Sequence, residues 1–236
     1  MNVFRKLGTA VSARARARRA ARFRESFSLS SPTRILDLGS ETGANIHAVL
    51  EGTHVRPENV HIADIDHEAI ELGRQRYGFV PVPIDESGRL PFPDGYFDIV
   101  YCSSVIEHVT VPKARVWELR SGVQFRREAR ESQRAFAAEV RRLGRQYFVQ
   151  TPYRHFPVES HSWLPFVAWL PRRALVPLLG LTNRFWVKHT SPDWYLLDRA
   201  EMASLFGDAR IVSERLFLMT KSLMAVRSGL DGRSAA

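Results

Sequence analysis

Arg34-Ile35-Leu36-Asp37-Leu38-Gly39-Ser40-Glu41-Thr42-Gly43 is followed by a second apolar run, Ile62-Ala63-Asp64-Ile65-Asp66, that also ends in carboxylates. A strand, a small-residue turn opening a helix and a second strand with an acid at its tip are the opening units of a doubly wound α/β domain. The glycines let backbone N–H groups approach a ligand, and the second acid can accept hydrogen bonds from ribose hydroxyls. The spacing excludes a dinucleotide fingerprint, which needs G-x-G-x-x-G: Gly39 and Gly43 are four apart and position 46 is Ile.

The alternation continues. Strands are expected at Arg34 to Leu38, Val60 to Ile65, Val80 to Ile84, Phe97 to Cys102, Gln146 to Gln150, Ile211 to Phe217 and Ser222 to Arg227. Helix-like segments lie between them at Ala44 to Leu50, His67 to Tyr77 and Gln124 to Leu143, and Asp198-Arg199-Ala200-Glu201 has capping-box spacing for a last helix. The expected fold class is therefore α/β: a Rossmann-like, doubly wound, mostly parallel seven-stranded sheet with an antiparallel C-terminal hairpin and a helical lid insertion.

The motifs resemble those of the class I S-adenosylmethionine-dependent methyltransferases, and within them the ubiquinone-type group. The first motif of that family, D/E-x-G-x-G-x-G, is matched from Asp37 except at its middle glycine, which is Glu41. Either the loop bends differently there or the carboxylate grips a cationic amino group. Asp85, Leu90-Pro91-Phe92-Pro93-Asp94, Phe97-Asp98-Ile99-Val100 and Ile106-Glu107-His108-Val109 then follow in the family's order. The resemblance implies S-adenosylmethionine as cofactor and S-adenosylhomocysteine as product. It places Asp37 and Gly39 at the methionine end, Asp64 at the ribose, Asp85 at the adenine amino group and Ser103 near the sulfonium, with Ser40, Gly43 and Ile65 also binding the cofactor. Some relatives carry Glu-x-x-Glu-His where this chain has Ser104-Val105-Ile106-Glu107-His108. With the first glutamate replaced, no obligatory metal is expected unless Glu159 and His161 complete a site from the lid.

Methyl transfer to a hydroxyl needs alignment and a base. The resemblance puts His108 near the reacting methyl, with Glu107 orienting it. Tyr153, His155, Glu159 and His161 follow the fifth strand and are expected to hold the acceptor. The segment from Phe148-Val149-Gln150-Thr151-Pro152 through Glu159-Ser160-His161 looks like that of bacterial methyltransferases with glycan-related substrates. A saccharide hydroxyl is the expected acceptor, with a lipid or an aromatic metabolite as the alternative. A non-catalytic cofactor-fold protein is the rival reading.

Charge sharpens the picture. Of the net charge of +9, residues 1–24 carry +8, from seven arginines and one lysine with no acid. The nearly neutral remainder argues against nucleic acid as a partner. The division expected is a basic arm at 1–24, suited to an anionic surface and dispensable for the fold, a methyltransferase domain at 25–229 with a lid at 151–194, and a frayed tail at 230–236. The proline-rich lid is expected to be too broken for regular helix. One cysteine, Cys102, permits no intrachain disulfide, and with no secretory apolar core the expected location is cytoplasmic. The partner is a small-molecule or oligosaccharide acceptor, and a homo-oligomer is compatible with the sequence.

Overall fold

The computed structural model describes residues 3–85 and 88–229, with side chains from residue 12 onward; the expected tail at 230–236 lies outside the described residues. Seven strands form one sheet in the order β3-β2-β1-β4-β5-β7-β6. They are β1 (Ile35–Leu38), β2 (Val60–Asp64), β3 (Val80–Pro83), β4 (Phe97–Ser103), β5 (Gly144–Pro152), β6 (Arg210–Leu216) and β7 (Met219–Arg227). The helices are α1 (Val3–Ser26), α2 (Ala44–Leu50), α3 (His67–Tyr77), α4 (Gly122–Leu143), α5 (Arg172–Thr182) and α6 (Arg199–Leu205). β1 pairs in parallel with both β2 and β4, and β2 with β3. The strand order therefore reverses between β1 and β4, the position where open α/β sheets bind ligands beyond their carboxyl ends. Only Phe217 and Leu218 separate β6 from β7, which makes the C-terminal pair an antiparallel hairpin.

The chain divides into two compact units. The first comprises residues 1–103, 140–149 and 226–236. Its strands are apolar on both faces, and Ile35, Leu36, Ile62 and Val100 are fully buried, as a parallel sheet covered on both sides requires. α1 corrects the expected arm. Phe23 is completely buried and meets the rings of Tyr101 and Phe148 edge-on, at 5.2 and 5.7 Å between centroids. The expected boundary at residue 24 falls inside this helix, because Arg14, Arg16, Arg18, Arg22 and Arg24 are exposed while Ala15, Ala20 and Phe23 form an inward stripe.

The second unit comprises residues 104–139 and 150–225. It has a core of its own, in which Val167, Leu175, Leu179, Trp194 and Leu196 pack together. α5 is regular across Pro177, against the expectation from proline content. Pro177 falls on the exposed side, where water can serve the carbonyl that loses its partner. Arg172 opens α5 and is buried. Its guanidinium donates to the carbonyls of Leu119, Val116 and Pro192 and lies 3.6 Å from the centre of the Phe125 ring. A buried guanidinium is tolerated because its donors are satisfied. Asp198 accepts from Glu201 N while Glu201 accepts from Asp198 N, the capping box expected before α6. Among the described residues no helix is long and apolar enough to cross a membrane.

Candidate active site

In the first unit, the turn between β1 and α2 is held by backbone. Gly39 and Ser40 N–H both donate to the carbonyl of Ala63, at 2.8 and 3.3 Å, tying the turn to the end of β2. Gly43 has φ 72°, and an added Cβ would stand 3.0 Å from both Ile62 and Phe79, so only glycine fits. Gly73 of α3 comes equally close, since a Cβ there would be 2.5 Å from the carbonyl oxygen of Thr42. Glu41 stands where the family's middle glycine would be. It takes the left-handed φ of 49° itself and donates its N–H to Asp64 Oδ2 at 2.8 Å. The loop keeps a glycine-like course at a strain cost of about 1–2 kcal/mol.

Asp64 closes the turn from the other side. Its second oxygen accepts from Asp66 N at 3.0 Å, leaving each oxygen a further lone pair. Asp37 is 2% exposed, its Oδ2 has no hydrogen-bond partner, and neither does the buried Ser40 Oγ. Burial and then the charge of Asp64 hold the Asp37 carboxyl well above the ordinary carboxylate range. Tyr101, whose hydroxyl accepts from Asn45 Nδ2 at 3.0 Å, is pushed up to about 12 by burial first. Ile65 is 61% exposed just past β2, Asp85 is exposed after β3, and Ser103 is the last residue of β4.

A groove of about 790 Å³ borders the turn, and α1 forms one wall of it through Arg16, Ala17 and Arg24, opposite Ser40, Glu41 and Asn45. Asp37, Asp64, Ile65, Asp85 and Ser103 do not line it. Sequence reasoning missed this wall; the spacing of Ala13, Ala17 and Ala20 between arginines was the signal available.

An uncompensated buried carboxylate predicts a trade between stability and binding. Asp37→Asn should raise the stability of the ligand-free protein at neutral pH by on the order of 1–3 kcal/mol while weakening cofactor binding. Because the folded state raises this carboxyl, the native protein binds its proton more tightly than the unfolded chain does. The advantage of Asn should therefore shrink as pH falls toward the ordinary carboxylate range. Denaturant melts at several pH values check this, and an unchanged gap between the proteins at all of them would contradict it.

The second unit gathers Glu107, His108 and His161, with Glu159 behind them. Ser104, with φ 60°, turns the chain after β4 and donates its N–H to the carbonyl of Gln150 at 2.9 Å. Glu107 and His108 follow in a 3₁₀ turn. Glu107 is fully buried, Thr151 Oγ1 donates to its Oε2 at 2.9 Å, and burial pushes its carboxyl up to about 7. Its Oε1 lies 3.6 Å from His161 Nε2. Burial, then the charges of His108 and Lys188, drive His161 down to about 3, so this imidazole is neutral. The His108 and His161 rings meet edge-on at 4.4 Å.

Glu107 does not orient His108, as the sequence led one to expect. Asp193 does, its Oδ2 standing 3.3 Å from His108 Nδ1. Burial disfavours the His108 cation, but the bond to Asp193 and the charge of Glu107 outweigh it and raise the imidazole above its ordinary value. Asp193 is itself pinned: Thr110 Oγ1 donates to its carbonyl at 2.6 Å, and the preceding carbonyl, of Pro192, is the one Arg172 holds. Its signal in the sequence was isolation, since it is the one acid between Glu159 and Asp198.

Glu159, expected to hold the acceptor, is 2% exposed and already engaged. Its oxygens accept from the backbone N–H of His161 and Ser162, both at 2.6 Å, which fixes the turn that aims His161. Tyr153 and His155 form a separate ring pair at 5.3 Å. Among the described residues, no hydrogen bond or ring contact joins that pair to Glu107, His108 or His161. One carboxylate oxygen of Glu107 and one nitrogen from each of the two imidazoles lie within 4.8 Å of one another, a set capable of holding a metal ion.

Known proteins share the fold. A putative O-methyltransferase from Nostoc punctiforme superposes with a TM-score of 0.51 at 14% identity, covering 93% of this chain and 58% of that one. The putative methyltransferase in a complex with the Haloferax volcanii Trm112 activator gives 0.50 at 14% identity, over 89% and 74%. The fold is that of the class I methyltransferases. Residues 36–121 match the family model described as a methyltransferase domain. The matched segment runs from β1 to the approach of α4, so it contains Asp37, Asp64, Glu107 and His108 but not His161 or Asp193. The ubiquinone/menaquinone biosynthesis C-methyltransferase of Cupriavidus metallidurans is 32% identical over 91 residues, a match spanning 37% of this chain and 37% of that protein.

Proposed function

We propose that this chain is an S-adenosylmethionine-dependent methyltransferase that methylates a hydroxyl group, with a saccharide as acceptor. The observation that carries the reading is the β1–α2 turn, where Asp37 Oδ2 and Ser40 Oγ are buried without partners and Ser40 lines a groove. A buried carboxylate oxygen awaiting a donor suits a cationic ammonium group, and the spare lone pairs of Asp64 suit ribose hydroxyls. Asp37 and Gly39 would hold the methionine part, Asp64 the ribose, Asp85 the adenine and Ser103 the region of the sulfonium, with Ser40, Gly43 and Ile65 also contacting the cofactor. Bound there, the cofactor supplies an electrophilic methyl group.

The chain's own residues then have to orient an acceptor, exclude water and remove a proton. His108 is assigned that proton, with Asp193 holding its Nδ1 so that Nε2 is left for chemistry. Glu107 sets the polarity of the same site. His161, Tyr153 and His155 provide acceptor contacts, and residues 151–194 act as a lid that shields the reaction. The saccharide assignment rests on the resemblance of the segment after β5 to glycan methyltransferases, the 1-O-methyltransferase of methylmannose polysaccharide among them. α1 presents its exposed arginines to an anionic surface.

Two measurements test the reading. Calorimetry with S-adenosylhomocysteine should show binding, and Asp64→Ala should weaken it by about 1.5–3 kcal/mol, the range for hydrogen bonds to a charged group. Labelled S-adenosylmethionine offered with saccharides, lipids, quinones and phenols should label the saccharides. No heat from the folded protein would remove the cofactor, and label on quinone carbon alone would replace O-methylation by C-methylation.

A further inference from the structure

Two buried atoms in the second unit face each other without partners. Glu107 Oε1 and His161 Nε2 stand 3.6 Å apart, and neither makes a hydrogen bond. That distance is too long for a shared proton, which would draw the pair to about 2.7–2.9 Å. Each unsatisfied buried atom costs about 1–3 kcal/mol, so a ligand able to bridge both would relieve two penalties at once. His108 adds a third donor, and the three ligand atoms lie within 4.8 Å of one another. Ligands about 2.0–2.2 Å from a common ion are a little closer together than that, a difference small side-chain rotations can close.

The surroundings fit the same conclusion. Thr151 fixes Glu107 through its other oxygen, Asp193 fixes His108 through Nδ1, and Glu159 fixes the backbone at His161. Metal-ligating side chains are characteristically held by such outer partners. We propose that Glu107, His108 and His161 bind one divalent transition-metal ion, with the acceptor hydroxyl completing its coordination. Two imidazoles and one carboxylate suit manganese, iron or zinc better than magnesium or calcium, which prefer oxygen. The sequence, with Ser104 in place of a glutamate, left a metal conditional on Glu159 and His161 completing the set; His161 does join it, whereas the oxygens of Glu159 are taken by the backbone N–H of His161 and Ser162.

The role of the hydroxyl rests on the methyltransferase reading, whereas ion binding does not. With the ion present, the hydroxyl is acidified and its proton passes to water. The oxygen's electron pair forms the new O–C bond as the C–S pair returns to sulfur, and His108 serves as a ligand. With the ion absent, His108 takes the proton itself.

The full chain, stripped with a chelator, should be titrated with MnCl₂ and ZnCl₂ by calorimetry, with MgCl₂ in parallel. One Mn²⁺ per chain is expected, with nitrogen couplings in its pulsed paramagnetic resonance spectrum. His161→Ala and Glu107→Gln should each weaken Mn²⁺ binding at least about tenfold while retaining S-adenosylhomocysteine affinity, which also reports that they fold. The site is overturned if the folded native chain binds neither Mn²⁺ nor Zn²⁺, if it prefers Mg²⁺, or if Mn²⁺ shows no nitrogen coupling. It also falls if both folded variants bind Mn²⁺ normally. In those cases normal S-adenosylhomocysteine binding leaves the methyltransferase reading standing. Mn²⁺ binding with no S-adenosylhomocysteine binding has the opposite meaning: the ion site stands and the methyltransferase reading falls.

Discussion

His108→Ala should lower kcat by about 10²- to 10⁴-fold while leaving S-adenosylhomocysteine affinity nearly unchanged. In the proposed mechanism the acceptor hydroxyl meets the chain at this imidazole, either directly or through an ion, so its loss is felt where the proton leaves. The same proposal assigns cofactor binding to the β1–α2 turn, which has no share in that step. Asp193→Asn should lower kcat less, because it removes the group that holds His108 Nδ1 and spares the imidazole. Steady-state rates on the acceptor identified by labelling, with calorimetry on the same preparations, separate these effects. If His108→Ala turns over normally while Asp193→Asn is inactive, Asp193 acts on substrate and the assignment of roles is wrong.

Phe23→Ala should destabilise the fold by about 3–5 kcal/mol, the range for truncating a buried aromatic side chain. The ring is fully buried and closes against Tyr101 and Phe148, two of the largest buried side chains in the sheet. Removing it opens a cavity over β4 and β5. Deleting residues 1–24 removes the same ring and should lower the denaturation midpoint at least as much. Neutralising Arg14, Arg18 and Arg22, which are exposed on the same helix, should by contrast change stability by less than about 0.5 kcal/mol each. Denaturant unfolding of the three proteins decides it, and a deletion as stable as the full chain would return α1 to the status of a peripheral arm.

The alternation of strand and helix, the turn at Gly39 to Gly43 and the acids at 37 and 64 were legible in the sequence because each follows from local chemistry. A short apolar run bounded by turn residues reads as a buried strand, and Gly43 declares a turn because glycine takes a left-handed φ, here 72°, without steric cost. Likewise Asp198 and Glu201 announce a cap by their spacing alone. Glu41 marks the limit of such reasoning. Its departure from the glycine pattern was visible, but its compensation, an N–H bonded to Asp64, spans two strands.

Tertiary structure decided what the side chains meet. Thirty or more residues separate Glu107 from His161, Asp193 and Thr151, and no periodicity records that these groups converge. Neighbours in sequence suggested that Glu107 orients His108; the fold instead buries Glu107 toward His161 and brings Asp193 to His108. Glu159 likewise looked like an acceptor ligand until the turn at 159–162 claimed its oxygens. α1 shows the same division, since charge dominates its composition while burial depends on which side chains face inward. The sequence determined the elements and the chemistry each one carries, through backbone geometry and hydrophobic period. The pairing of that chemistry required the fold, because burial and hydrogen-bond satisfaction are properties of groups in space and not of residues in order.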